Sequence, residues 1–303
     1  MIDSGTMKLR GQSPEFLRVV HAARIIATTD TTVLITGEQG VGKEMLAREI
    51  HRSSRHRGQP FENIFCAGLK NEALSAVLTA GGDDHRSVSG GTVYFSEISD
   101  LSAEGQALLL NLIEGLAVRP RGCPDLRLIA SSSRDLHALV EQGLFREDLY
   151  FRLYVVPLEV PALSARDGDI ALLLKQFTAD MSRRHGRKTP VYSVTSRNLL
   201  KAYRWPGNVR ELKNFCERMV ILFAGTTVQP DSLPIEIRRG AGSQRRAVDF
   251  LLPEQGIDLS SFEADIIGQA LRMTGGNRSK AARLLGLTRD TLLYRIQKHA
   301  IKV

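Results

Sequence analysis

The chain has 303 residues, 43% hydrophobic and 24% charged, with a formal net charge of +8. This length exceeds one ordinary core, so two or three domains are expected, and the balance of residues excludes a disordered chain. No apolar run approaches the roughly 18 residues of a membrane span, no export signal opens the chain, and Cys66, Cys123 and Cys216 match neither a disulfide framework nor a zinc ligand set. The expectation is a cytoplasmic protein with reduced thiols, no membrane partner and scattered surface histidines.

Ser13-Pro14-Glu15 opens a helix, with serine as N-cap and proline at the first helical position, followed by Phe16, Leu17, Val20 and Ala27 at helical spacing. The apolar run Val33 to Thr36 then leads directly into GEQGVGKE, Gly37 to Glu44. A strand, a glycine-rich turn and a lysine are what a phosphate-cradling loop needs. Gly37, Gly40 and Gly42 let backbone N–H groups converge on phosphates, the following helix adds its positive N-terminus, and Lys43 neutralises the outer phosphates. The plain alternative is a chance glycine turn before a helix.

Strand-like runs recur at Thr92 to Phe95, Leu126 to Ala130 and Val155 to Leu158, separated by helical segments, which predicts an α/β domain with a mostly parallel sheet. The second of the four runs ends in GGTVYFSEI, Gly90 to Ile98, where a nucleotide hydrolase would place two carboxylates for Mg²⁺ and the attacking water. Glu97 is there; the other position is Ser96. From Asp169 to Ala224 the pattern turns helical, with one stripe of Ile170, Leu173, Leu174 and Phe177 and another of Leu212, Phe215, Met219 and Leu222. RRGAGSQRR, Arg238 to Arg246, reads as a linker.

The last segment predicts three short helices: one carrying Phe262, Ile266, Ile267, Ala270 and Leu271, one over Arg278 to Leu285, and one capped by Thr288 and running to about His299. The last two, joined at Gly286-Leu287, form a helix-turn-helix with Ala282 at the close approach and Leu285, Leu287 and Ile296 in a small core. Gly275 to Val303 holds seven Lys/Arg against one Asp, so +6 of the +8 lies there. That asymmetry points to an anionic polymer, and together with the helix-turn-helix to double-stranded DNA. Arg289, Asp290, Thr291, Tyr294, Arg295 and Lys298 form the outward face of the third helix, and Arg278, Ser279 and Lys280 complete the DNA-facing set. The bland alternative is a generic basic packing unit.

These motifs together resemble the bacterial enhancer-binding proteins, AAA+ activators that act on RNA polymerase carrying sigma-54. The resemblance spans about Leu9 to Ile301 and rests on GQSPEF, GEQGVGKE, GGTVYFSEI, LFREDLYFRL, WPGNVRELKN and NRSKAARLLGLTRDTL, in that order. It implies an AAA+ α/β subdomain over residues 1–165 with a P-loop parallel sheet, a helical lid over 166–237, a linker over 238–257 and an all-α Fis-type helix-turn-helix over 258–303. ATP would be held by Gly37, Glu38, Gly40, Val41, Gly42, Lys43, Glu44 and Met45, with Arg210 sensing the γ-phosphate from the lid. Glu97 would activate water, Arg146 and Arg152 would reach a neighbour's nucleotide in a ring, and Ser96 with Glu97 would hold Mg²⁺ weakly. As ordinary surface cations, the two arginines would instead pair with Glu147 and Asp148.

The family usually carries a receiver or sensor domain before the ATPase, which here begins at once, so control is expected from outside the chain. Three departures shape the expectation further. The stretch between Leu69 and Gly90 lacks the GAFTGA loop that touches sigma-54; Ser96 replaces an aspartate; and Phe65 stands where an asparagine restrains the catalytic glutamate, with Ser133 at the sensor I position and Asn63 as a substitute on the same strand face. The leading expectation is a DNA-binding transcription regulator that binds ATP and self-assembles, as a dimer or hexameric ring, with weak or no hydrolysis. The alternatives are an ATP-hydrolysing sigma-54-dependent activator acting on RNA polymerase holoenzyme, and a subunit lending its arginine fingers to a mixed ring with a competent relative.

Overall fold

The computed structural model describes residues 9–69, 91–117, 126–240, 258–299 and 301. The chain divides into two compact units, residues 1–244 and 245–303. In the first, α1 (Pro14–Ile26) is capped as its sequence demands, Ser13 Oγ accepting from Phe16 N at 3.3 Å. The strands are β1 (Val33–Thr36), β2 (Phe61–Phe65), β3 (Gly91–Ser96), β4 (Leu126–Ser132) and β5 (Val156–Glu159), all parallel, in the order β2-β3-β4-β1-β5.

Helices cover both faces of the sheet, and the period-two alternation of the strands feeds both layers. Val33, Ile35, Tyr94 and Ile129 point to α1 and α2 (Lys43–Arg52), whose Phe16, Val20, Leu46 and Ile50 complete that core. Leu34, Val93, Phe95, Leu128 and Ala130 point to the opposite layer. That layer contains α3 (Ala103–Ala117), α4 (Leu136–Glu141) and α5 (Glu147–Leu153), which contribute Leu109, Leu139 and Leu149. Leu17 leaves the predicted stripe of α1 and is exposed, because Phe16 and Val20 already fill the space over the sheet.

Two histidines depart from the expected surface placement. His51 and His56 are buried at the end of the sheet away from the glycine loop. His51 Nδ1 lies 2.9 Å from Thr92 Oγ1, while His56 is held between Gln59 Oε1 at 2.7 Å and Asp30 Oδ1 at 3.1 Å. Burial, then the neighbouring His56, pushes the His51 pKa below its ordinary value. Polar partners spread over two loops and one strand carry no periodicity, so this cluster is silent in sequence.

The lid consists of α6 (Asp169–His185), α7 (Val194–Ala202), α8 (Asn208–Leu222) and α9 (Ile235–Gly240), with the two-residue strands β6 (Val191–Tyr192) and β7 (Thr227–Val228). Ile170, Leu173, Leu174, Leu212, Phe215 and Met219 bury as the two predicted stripes, around Trp205 and Leu200. Leu222 is exposed at the last turn of α8, beyond the layer that covers its predecessors.

The second unit has α10 (Leu259–Met273), α11 (Arg278–Leu284) and α12 (Arg289–Lys298). Ile267, Ala270, Leu271, Ala281, Ala282, Leu292 and Ile296 make its core, with Leu285 and Leu287 packed against it. Asn277 caps α11 and Thr288 caps α12 through side-chain oxygens that accept from Lys280 N at 3.1 Å and Thr291 N at 3.2 Å. Gly286, at φ 69°, makes the left-handed turn between them.

Candidate nucleotide site and DNA-facing helix

The parallel sheet brings the C-terminal ends of β1 and β3 to one edge, where α/β folds bind ligands. The loop leaving β1 holds Gly37, Gly40 and Gly42 at φ 140°, 79° and 106°, a backbone that residues with a Cβ rarely adopt. A Cβ added at Gly42 would project into open space, the room an incoming phosphate needs. Gly42 is also the cap residue of α2 and offers no side chain to its free N–H groups, leaving them for an anion.

Lys43 is only 6% exposed. Its ammonium donates to Gly37 O at 2.8 Å and Glu38 O at 3.3 Å and pairs with Glu97 Oε1 at 2.9 Å. Glu97 follows β3 at φ 58°, strained backbone for a glutamate. Its Oε2 accepts from Ser133 N at 2.7 Å and Ser133 Oγ at 2.8 Å. Burial pushes the Glu97 carboxyl up, yet the bonds from Lys43 and Ser133 outweigh it and hold the pKa below the ordinary glutamate value. Glu97 is therefore ionised and clamped at both oxygens.

This clamp corrects one expectation. Asn63 does not stand in for the missing restraint: its Oδ1 is buried without a hydrogen bond among the described residues, while Phe65 is exposed. Ser133, at the end of β4, takes that part because β4 lies next to β3 and its C-terminal turn faces Glu97. Ser96 shares the strand face of Tyr94, whose hydroxyl lies 2.7 Å from Ser131 Oγ and also bonds to Ser96. Ser96 and Glu97 are thus one hydroxyl and one carboxylate at the sheet edge.

The remaining loop residues divide by role. Val41 is buried in the α1–α2 core, Glu44 pairs with Arg48 at 2.8 Å across one helical turn, and Met45 is half-buried. Glu38 faces the lid, where the sequence reading missed a contact. Asn208, fully buried at φ 52°, donates through Nδ2 to Glu38 Oε2 at 2.9 Å and Gln39 O at 3.0 Å, and its Oδ1 accepts from Leu163 N at 2.7 Å. Two residues on, Arg210 N donates to Gly40 O at 3.3 Å, leaving its exposed side chain free to turn toward a nucleotide. A Cβ at Gly40 would meet Gly207 O at 2.2 Å, so the loop and lid touch backbone to backbone. The WPGN turn, with Trp205 at φ 53° as well, was the available signal for Asn208.

Replacing Asn208 by alanine is expected to destabilise the first unit by about 2–4 kcal/mol, from unpaired buried groups and left-handed strain. ADP affinity should fall about tenfold, because the lid no longer sits on the loop. Urea unfolding and calorimetric titration measure the two effects. Asn208→Gly, which relieves the backbone but not the lost bonds, should recover stability in part and affinity hardly at all.

Arg146, the residue that precedes α5, and Arg152, in its last turn, are both exposed. Arg146 donates to both oxygens of Asp148, at 3.0 and 2.7 Å, and Arg152 lies 3.8 Å from Glu114. In the single chain they are surface ion pairs, and neither is a partner of Lys43 or Glu97.

In the second unit Arg278, Ser279, Lys280, Arg289, Asp290, Tyr294 and Lys298 are exposed as expected, and Thr291 is half-buried by its bond to the cap Thr288 at 2.7 Å. Arg295 departs from the outward face. It turns to Glu263 on α10, which also meets His299 Nε2 at 3.0 Å, because an acidic residue one helix away offers a nearer partner than solvent. Within the described chain Arg295 ties α12 to α10.

A parallel-sheet phosphate loop with a helical lid, followed by a capped basic helix-turn-helix, defines an AAA+ DNA-binding regulator. Residues 9–159 match the Sigma-54 interaction domain, residues 164–249 the AAA+ ATPase lid domain, and residues 259–299 the bacterial regulatory protein, Fis family. The chain is 36% identical to transcriptional regulatory protein ZraR of Escherichia coli K12, over 95% of this chain and 68% of that one. It is 34% identical to the DNA-binding transcriptional regulator NtrC of Azospirillum brasilense, over 98% and 70%. The solved structure of NtrX from Brucella abortus in complex with ATP superposes with a TM-score of 0.70 at 28% identity, over 98% of this chain and 70% of that chain. The chain belongs to the bacterial enhancer-binding protein family. It is a DNA-binding transcription regulator whose AAA+ domain binds ATP. Among the described residues no helix is long and apolar enough to cross a membrane. Cys66 and Cys216 are buried thiols in separate cores, each pushed by burial up to about 12, and Cys123 and the stretch 70–90 lie outside the described residues.

Proposed function

We propose that the chain is an ATP-hydrolysing activator of transcription by RNA polymerase carrying sigma-54, the reading that stood second on sequence alone. The carrying observation is Glu97: ionised, fixed by Lys43 and Ser133, and set on strained backbone beside the phosphate loop. A general base needs a carboxylate kept free of protons and aimed at one place. The match of residues 9–159 to the Sigma-54 interaction domain supports the same choice.

ATP is the substrate. Lys43 and the N–H groups of the loop bind its phosphates, Glu97 takes the proton of the attacking water, and the bond to the γ-phosphorus breaks on the ADP side. Lys43 must exchange Glu97 for phosphate oxygens as ATP arrives, which frees Glu97 for water while Ser133 keeps it in place. Mg²⁺, when bound, neutralises charge on the phosphates; Ser96 and Glu97 would be its protein ligands, and a hydroxyl in place of a carboxylate makes that grip weak. Arg146 and Arg152 are held by Asp148 and Glu114 until a neighbouring subunit's γ-phosphate offers a stronger anion. The exposed Leu144, Phe151 and Tyr154 around them suit a ring interface. The exposed Leu259, Ile266 and Met273 of α10 suit two-fold pairing of the DNA-binding unit.

Ser96 favours a second reading, in which ATP is bound as an assembly signal with slow turnover or the chain lends its arginines to a competent relative. Steady-state ATP hydrolysis, with Lys43→Ala and Ser96→Asp alongside, separates them. Turnover by the natural chain that Lys43→Ala abolishes is the expected result, with Ser96→Asp lowering the Mg²⁺ requirement by about tenfold or more. Binding without turnover, restored only by Ser96→Asp, would sink the hydrolysing reading in favour of the second.

A further inference from the structure

The lid carries a second basic concentration that the nucleotide site does not use. Between Leu174 and Lys201 stand seven lysines and arginines against one aspartate, as strong a bias as in the DNA-binding unit. Within it α6, β6 and α7 line a half-open groove of about 750 Å³, within the usual range for small-molecule sites. Its floor is apolar and buried: Ile170, Leu174 and Leu200 are each at most 8% exposed. Its rim carries Lys175 on one side and Arg197 and Lys201, one helical turn apart, on the other. None of these three pairs with a carboxylate among the described residues, although Arg10, Arg24, Arg48, Arg55, Arg134, Arg146 and Arg152 of the same unit all do. Among the described residues no acidic side chain lines the groove.

We propose that this groove is an effector site for a small anionic amphiphile, with a carboxylate or phosphate head held by Lys175, Arg197 and Lys201 and an apolar body on Ile170, Leu174 and Leu200. A cationic rim around a dry floor selects a molecule with one charged end; it disfavours a bare anion, which leaves the floor wet, and a neutral apolar molecule, which leaves the rim unanswered. The groove's volume of about 750 Å³ suits a small molecule. The groove also has a route to the loop. Leu200 forms its floor and accepts through its carbonyl from Trp205 Nε1 at 2.9 Å, and Trp205 opens the strained turn that places Asn208 on Glu38 and Gln39. Filling the groove and binding nucleotide therefore bear on the same turn, and any coupling acts equally in both directions.

The site is independent of whether the chain hydrolyses ATP. The test uses the full chain saturated with ADP, so that the phosphate loop is occupied, and titrates octyl phosphate below its micellar concentration by calorimetry. A dissociation constant of tens to hundreds of micromolar is expected, with octanol and inorganic phosphate each at least about tenfold weaker. The exposed triple variant Lys175→Gln, Arg197→Gln, Lys201→Gln should lose binding by a similar factor with an unchanged melting temperature. Ala171→Trp, which fills the groove and keeps the charges, should abolish it. Octyl phosphate should also shift the ADP affinity of the natural chain and leave that of Ala171→Trp unmoved. Equal binding of octanol, binding unaffected by both variants, or no shift in ADP affinity would overturn the proposal. So would tighter, groove-dependent binding of a glutamate-rich peptide or of anionic vesicles, which would make the surface a docking site for a protein or a membrane.

Discussion

Asp169→Ala is expected to destabilise the first unit by about 3–5 kcal/mol, the cost of stranding a buried charge. Asp169 and Arg166 are both essentially inaccessible and pair at 2.8 Å. The second carboxylate oxygen accepts from Gln12 N at 2.6 Å and Ser13 N at 3.1 Å, while Arg166 Nη2 donates to Arg10 O at 2.9 Å and its guanidinium lies 3.8 Å from the centre of the Phe16 ring. Alanine would leave a guanidinium and two amides without partners in a place water does not reach. A Cβ at Gly11 would come within 2.7 Å of Phe16, Arg166 and Asp169, so the chain runs past this pair with no room to adjust. Urea unfolding at neutral pH measures the loss. Asp169→Asn, which keeps an acceptor for the amides, should cost less, and Arg166→Met combined with Asp169→Leu should recover much of the loss because both charges leave together. A double variant as unstable as Asp169→Ala would show that the amides, not the stranded charge, set the cost.

The same pair explains why some of the fold was legible in sequence and some was not. The helix start at Ser13-Pro14, the apolar strand runs, the stripes of the lid and the caps at Asn277 and Thr288 are local: each follows from a period or a side chain reaching its own backbone. The glycine loop was legible because a phosphate-sized anion demands glycines at left-handed positions. What stayed hidden depends on residues distant in the chain. Asp169 answers Gln12 and Ser13, Asn208 answers Glu38, and Ser133 answers Glu97 across neighbouring strands; none of these has a spacing to read. The burial of His51 and His56 is hidden in sequence for that reason, and so is the pairing of Arg295 with Glu263, because helical periodicity shows the face of α12 but not the residue opposite it. The two long-range clamps, Asn208 and Ser133, are also the residues that convert a generic phosphate loop into this particular site.

Lys43→Ala is expected to weaken ATP and ADP binding by about 100-fold or more, the equivalent of roughly 3 kcal/mol from lost charge-assisted bonds to phosphate. The ammonium is already positioned: two carbonyls and Glu97 hold it in a slot with 6% exposure, so little side-chain entropy remains to be lost on binding. That preorganisation makes Lys43→Arg a poor substitute, since the larger planar guanidinium does not fit the slot, and its affinity should stay near that of alanine. The lysine also keeps Glu97 ionised. With Lys43 gone, burial acts on Glu97 against the Ser133 bonds alone, and its pKa should rise toward or above the ordinary glutamate value. Ser133→Ala separates the two roles. It leaves the phosphate cation intact, so nucleotide affinity should change by no more than about twofold, whereas turnover should fall as Glu97 loses its fixed aim. Calorimetric titration of ADP on both variants reads the first effect and carboxyl-resolved NMR titration of Glu97 reads the second. An unaltered ADP affinity in Lys43→Ala would mean that the glycine loop does not hold the phosphates, and the nucleotide site would have to lie elsewhere on the sheet edge.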